Sequence, residues 1–146
     1  MERILISACL VGDNVKYNGG NNKNPLIDQL LEKYELVPFC PEVEGGLPTP
    51  RHPSEQKDGL VVNDLGEDVT TQFEKGAELA YSICLFLKIK KAILKERSPS
   101  CGVHQIYDGT FSHKAINGMG VTALYLKEKG IVIYNEDEIP KLLNED

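Results

Sequence analysis

Four cysteines, Cys9, Cys40, Cys84 and Cys101, are the residues of this 146-residue chain whose chemistry stands out first. None forms a Cys-x-x-Cys pair, so neither a compact zinc ribbon nor a thioredoxin-like redox motif is encoded. The chain starts Met1-Glu2-Arg3 and runs straight into a strand-like segment, without the three regions of a signal peptide, which leads us to expect a cytoplasmic protein. In that compartment thiols rarely persist as structural disulfides. They are instead buried side chains, metal ligands or nucleophiles.

The elements that must position these thiols separate one from the other three. Cys84 falls on the stripe Phe73, Ala77, Ala80, Ile83, Cys84 and Leu87, whose spacing of three or four predicts one face of a long helix. It is expected to pack in the core. Cys9 lies just past the predicted strand Ile4–Ala8, Cys40 just past Leu36–Phe39, and Cys101 in the loop after Ala92–Leu94. Helices are expected over 25–34, from a capping box at Thr71-Gln72-Phe73-Glu74 onward, over 120–129, and around Ile139, Leu142 and Leu143. A strand over Ile131–Tyr134 completes an alternation that reads as an α/β fold. It is a single domain over residues 1–146, with an open parallel sheet of four to five strands flanked by helices in a Rossmann-like three-layer arrangement. Loops leaving the carboxyl edge of such a sheet carry its ligands, so Cys9, Cys40 and Cys101 are expected to meet there.

Three thiolates leave a coordination position open, which suits a catalytic metal or a cubane cluster with one iron free; a structural zinc site takes four ligands. Soft thiolates select zinc, copper(I) or an iron–sulfur cluster, and spacing alone leaves all three standing.

The polar residues near these cysteines have two readings each. Glu42, beside Cys40, is either a general base or a solvated carboxylate, and Glu44 is expected to be solvated. Ser98 and Ser100, flanking Pro99 next to Cys101, either bond a substrate or cap a turn. Lys95-Glu96-Arg97 reads as a solvated charged face, Ser7 as strand core, and His104 as the histidine to watch. Residues 40–67 read as a long Pro- and Gly-rich loop with a brief excursion at 60–62, and 106–111 as a tiny hairpin turning at Asp108-Gly109. Gly118-Met119-Gly120 precedes a helix start and is read as a turn rather than an anion site. No apolar run is long enough for a membrane span. The net charge of −6 argues against an extended nucleic-acid surface. No motif in the chain assigns an oligomeric state.

Several ordered blocks together resemble a known family. They are Ile6–Gly12, Tyr17–Gly20, Cys40–Val43 continuing through Gly45–Arg51, Ala92–Gly102 and Ile106–Phe111. They resemble the family catalogued as domain of unknown function 523, whose members include thiouracil desulfidases, and they span nearly the whole chain. The resemblance implies a [4Fe–4S] cluster held by Cys9, Cys40 and Cys101, with one iron not ligated by protein that would bind the sulfur of a small thionated substrate such as 2-thiouracil. It further implies water attack on the carbon assisted by Glu42, a serine of the Ser98–Ser100 segment positioning substrate, and release of sulfide without net redox change. Two other readings are a non-catalytic carrier of sulfur or of a cluster, and a zinc hydrolase using the same three thiolates.

Overall fold

Ile4, Leu5 and Ile6 set the layering of the molecule. Successive residues of a strand point to opposite faces, and all three are fully buried, so this strand must be covered on both sides. The computed structural model describes residues 1–145. Its elements in chain order are β1 (Glu2–Ser7), α1 (Ile27–Lys33), β2 (Tyr34–Phe39), α2 (Pro41–Glu44), β3 (Ser54–Lys57), β4 (Leu60–Asn63), α3 (Thr70–Leu87), β5 (Lys91–Leu94), β6 (Gln105–Tyr107), β7 (Ala115–Asn117), α4 (Val121–Glu128), β8 (Val132–Asn135) and α5 (Ile139–Leu143). The main sheet is four-stranded and parallel, in the order β2-β1-β5-β8. Ile4, Ile6 and Ile93 pack with Leu30 of α1 and with Ile139 and Leu142 of α5. Leu5, Ala92 and Leu94 face Ala80 and Cys84 of α3 and Ala123 and Leu126 of α4. This is the expected three-layer α/β architecture. Pro38, which donates no hydrogen bond, lies on β2 at the sheet edge, where it does no harm.

Four local expectations fail, each because tertiary contacts supply what local pattern did not show. Residues 40–67 are not one loop: β3 and β4 form an antiparallel hairpin with Glu55 opposite Val62. The capping box at residues 71–74 is not formed. The helix begins at Thr70, whose N–H is taken by Asp68 Oδ1 at 2.9 Å, while its Oγ1 accepts the Val61 N–H at 2.8 Å. The small hairpin is wider than expected, pairing Gln105–Tyr107 with Ala115–Asn117 across a longer turn. Its Gly109 and Phe111 N–H groups bind the buried Glu55 Oε1 at 2.9 and 3.1 Å. The run Lys95-Glu96-Arg97 is not a solvated face, because Glu96 is buried.

Glu96 is the anchor of the loop between β5 and β6. Its Oε1 accepts the backbone N–H groups of Val103, His104 and Gln105 at 2.8, 2.9 and 3.0 Å, and a longer one from Arg97 at 3.3 Å. Oε2 accepts from Asn135 Nδ2 at 2.8 Å. The backbone N–H of Glu96 donates to Glu136 Oε1 at 2.8 Å, and Glu136 Oε2 pairs with Lys95 Nζ at 2.8 Å. Arg97 takes a left-handed conformation (φ 62°) to start the turn. Burial works to raise the Glu96 pKa, but the donors from Asn135, Gln105, His104 and Arg97 outweigh it and hold the carboxyl at about 2.

Two helices of one face touch the site loops at glycines. A Cβ on Gly76 of α3 would stand 2.0 Å from the Pro41 carbonyl oxygen, and one on Gly45 would stand 2.0 Å from that of Gln72. A Cβ on Gly120 would stand 2.4 Å from the Ser100 carbonyl carbon. At this contact the first turn of α4 spends its free N–H groups on the loop. Val121 N–H donates to Pro99 O at 3.0 Å, Thr122 and Ala123 N–H to Ser100 O at 2.8 and 3.1 Å, and Gly120 N–H to Gly102 O at 2.8 Å. The helix start is thus occupied by carbonyls, not open to an anion.

Two outcomes follow. Because the folded pKa of Glu96 is depressed, its contribution is present above its ordinary value near 4.5 and is lost as pH falls toward 2. Glu96→Gln should therefore destabilise the protein by roughly 3 kcal/mol at pH 7, and urea melts should show the gap from wild type closing toward pH 2. Gly76→Ala should cost about 1–3 kcal/mol, as overpacking does, readable as a lower Tm, and should disturb the Cys40 loop more than the sheet.

Candidate active site

Cys9 follows β1, Cys40 follows β2 and Cys101 follows β5, so one thiol stands on each of three adjacent loops at the carboxyl edge. The chain passes from β1 out to β2 and then returns to β5 on the other side of β1. The strand order therefore reverses between β1 and β5, the place where open parallel sheets leave a crevice. A cleft of about 360 Å³ opens there. Cys9, Cys40, Cys101, Glu42, Ser98 and Ser100 all line it, so every site residue expected from the sequence is brought together. Cys84 lies away from it, buried on α3, where burial pushes its thiol up to about 11. Glu44 is exposed outside the cleft. His104 is outside too: its ring meets Glu138 Oε1 at 3.0 Å.

All three thiols are shifted upward, chiefly by burial. Burial raises Cys9, with further upward pressure from Cys40 and relief from Asn22, whose Nδ2 lies 3.5 Å from Cys9 Sγ. Burial raises Cys40 as well, opposed by the backbone N–H of Val43 and reinforced by the Glu42 carboxylate. Cys101 is pushed up to about 12 by burial, with Cys40 and Cys9 adding to it and the Ser7 and Ser100 hydroxyls opposing. Three neutral thiols held together in a shielded cleft are a soft donor set that loses protons on binding a thiophilic metal. Among the described residues, no three His, Cys, Asp or Glu side chains are gathered closely enough to hold a single metal ion.

Beside the thiols runs a chain of polar groups. Ser98 Oγ accepts the backbone N–H of Ser100 at 3.2 Å and of Cys101 at 3.0 Å, so it caps the turn that presents Cys101. The two serine hydroxyls lie 3.0 Å apart. Ser100 Oγ donates to Glu42 Oε2 at 2.9 Å, a shorter contact than its 3.6 Å approach to Cys101 Sγ. Ser100 thus spends its proton on the carboxylate and accepts that of Ser98. Glu42 Oε1 takes the Arg51 Nε–H at 3.1 Å. Ser98 is therefore a turn cap, and Ser100 meets Glu42.

Several cleft residues had no role in the sequence reading. Arg51, Asn22, Lys95, Tyr107 and His113 all line the wall, and Ser7, read only as core, accepts the Lys95 N–H at 2.9 Å and faces Cys101. Nothing in their local sequence marks them, and only folding sets them against the cysteines. Gln56 of the hairpin holds this wall to the Cys101 loop, donating to Pro99 O at 3.1 Å and Met119 O at 2.8 Å.

The chain matches known proteins over most of its length. A family described as 2-thiouracil desulfurase matches residues 4–138. The chain is 39% identical over 150 residues to the uncharacterized protein YbbK of Bacillus subtilis (strain 168), covering 96% of this chain and 99% of that one. It is also similar to a solved structure, the [4Fe–4S]-dependent thiouracil desulfidase TudS (DUF523Vcz), with a TM-score of 0.92 and 44% identity over 97% of this chain and 95% of that one. With the whole sheet, its crevice and most of the sequence covered, the chain belongs to the 2-thiouracil desulfurase family.

Proposed function

We propose that this protein, acting as one domain over residues 1–146, is a [4Fe–4S]-dependent desulfidase. It removes sulfur from 2-thiouracil or a related small thionated base or nucleoside by hydrolysis. The observation that carries this reading is the meeting of three thiols from three strand ends in one cleft, next to a carboxylate bonded to a serine. The donor set fits the cluster. Three soft sulfurs from three loops line one cleft, which suits a group whose irons each take one thiolate. Free cysteines and an oxygen-sensitive centre of this kind support a reducing, cytoplasmic setting. Among the described residues no helix is long and apolar enough to cross a membrane.

Cys9, Cys40 and Cys101 would hold the cluster, leaving one iron without a protein ligand. When bound, it supplies a Lewis acid that prefers sulfur to oxygen and polarises a carbon–sulfur bond. The chain's own residues supply the rest. Glu42 takes a proton from the attacking water at Oε2, the oxygen already turned toward Ser100. Ser100 Oγ orients the substrate and the carboxylate, while Ser98 fixes Ser100 through its own hydroxyl and caps the turn. Asn22, and the backbone of Val43 behind Cys40, offer donors to the thiolates. Overall, the thiocarbonyl and water give a carbonyl and hydrogen sulfide, with no electrons exchanged.

Anaerobically prepared protein should be brown and carry about four irons and four sulfides per chain. Cys9→Ala, Cys40→Ala and Cys101→Ala should each lose this content, while Cys84→Ala keeps it at a packing cost of ~1 kcal/mol. A cluster lost with Cys84 but kept without Cys101 would sink the ligand assignment. Incubation with 2-thiouracil should show loss of its absorbance and release of sulfide; a brown protein that releases none would be a carrier. Glu42→Gln should keep the cluster and lower kcat by about 10²–10⁴, and near-normal turnover would move the base elsewhere.

A further inference from the structure

The most buried ion pair among the described residues lies in the cleft wall. The Arg51 and Glu42 side chains are 7% and 13% exposed, with Nε to Oε1 at 3.1 Å. Replacing such a pair by apolar residues is often neutral or stabilising, so its use must be sought in what it holds. Four of the five guanidinium N–H donors are committed. Besides Nε, Nη1 donates to Pro48 O at 3.2 Å and to Thr49 Oγ1 at 3.1 Å, and Nη2 donates to Val15 O at 2.9 Å. The Arg51 backbone N–H also donates to Tyr17 O at 2.7 Å. Little remains to grip an incoming ligand. What these bonds do is fix one oxygen of Glu42, so that the other is left facing Ser100, and tie the loop through Val15 and Tyr17 to the same point.

We infer that Arg51 is a positioning residue of the desulfurisation reaction, acting through Glu42. The inference rests on Glu42 being the base. Lysine cannot replace it. A single ammonium lacks the planar fork that reaches a carboxylate, a hydroxyl and two carbonyls from one centre. The consequence is a misdirected Oε2, and displacements of about 1 Å in a catalytic group reach 10²-fold in rate.

The test is a double-mutant cycle on anaerobically prepared holoenzyme, with 2-thiouracil as substrate and iron and sulfide measured for every variant. Arg51→Lys should keep the cluster and lower kcat about 10- to 100-fold, with KM changed less than about threefold. In a Glu42→Gln background the same change should lower kcat by less than about twofold, because nothing is left to aim. Arg51→Gln should follow the lysine variant in each background, with a large fall alone and less than about twofold beside Glu42→Gln, and serves if the lysine variant does not fold. Wild-type kcat in Arg51→Lys overturns the inference, as does an equal fall in both backgrounds. Failure of both Arg51 variants to hold a cluster also overturns it and assigns Arg51 to folding. Near-normal turnover in Glu42→Gln alone instead removes the base assignment on which the inference stands, and the inference with it.

Discussion

The carboxylate of Glu96 is the constraint on which the site depends. The loop from β5 to β6 carries Ser98, Ser100 and Cys101, yet along most of its length it has no strand or helix to satisfy its backbone. Buried N–H groups must find partners, and here one side chain takes four of them, from Arg97, Val103, His104 and Gln105. Asn135, at the end of β8, holds the second oxygen. Glu136, one residue further on, holds the Glu96 N–H and the neighbouring Lys95. The position of Cys101 is thereby referred to both central and edge strands of the sheet. Neutralising this carboxylate would leave a hub of donors unpaired in a buried place, which is why its pKa is driven so far down despite the burial that opposes it.

The helices α3 and α4 supply the second set of restraints, and both do so where a side chain is missing. Gly76 lets α3 lie directly on the carbonyl of Pro41, one residue past Cys40, and Gly120 lets the start of α4 lie on Ser100, one residue before Cys101. Backbone on backbone is stiffer than side chain on side chain. Two of the three thiols are consequently mounted on loops pressed against rigid helices, and the hydroxyl–carboxylate contact between Ser100 and Glu42 spans those two mounts. A contact of this kind keeps its geometry only if both sides are held, as precise sites require.

The third thiol is mounted differently. Cys9 opens a tight turn after β1, and the long connection to α1 folds back so that Asn22 donates its backbone N–H to Cys9 O and points its amide at Cys9 Sγ. That connection is in turn pinned at Val15 and Tyr17 by Arg51. Charge in the cleft is thus arranged in two parts. A sulfur-lined floor is kept neutral by burial, and an ion-paired wall keeps its carboxylate at hand.

How much of this could be read from the chain depends on the range of the forces involved. Strand–helix alternation, both-sided burial of Ile4, Leu5 and Ile6, and the inward stripe holding Cys84 follow from local periodicity, because period and burial are written in neighbouring residues. The placement of Cys9 and Cys40 just past two strands, and of Cys101 in the loop after a third, is enough to predict that they share an edge, since parallel strands present the same end. The sequence by itself therefore determined the architecture, the three converging thiols and the carboxylate and serines beside them. It did not show that Glu96 is a buried hub, that residues 54–63 pair as a hairpin, or that Arg51 meets Glu42. Charged residues read as solvated until something distant supplies their partners. For Glu96 those partners lie up to 39 positions away, and for Glu42 the serine lies 58 away. Only the tertiary structure decides which of them arrive within hydrogen-bonding distance, because hydrogen bonds act over about 3 Å and leave no periodic mark in the chain.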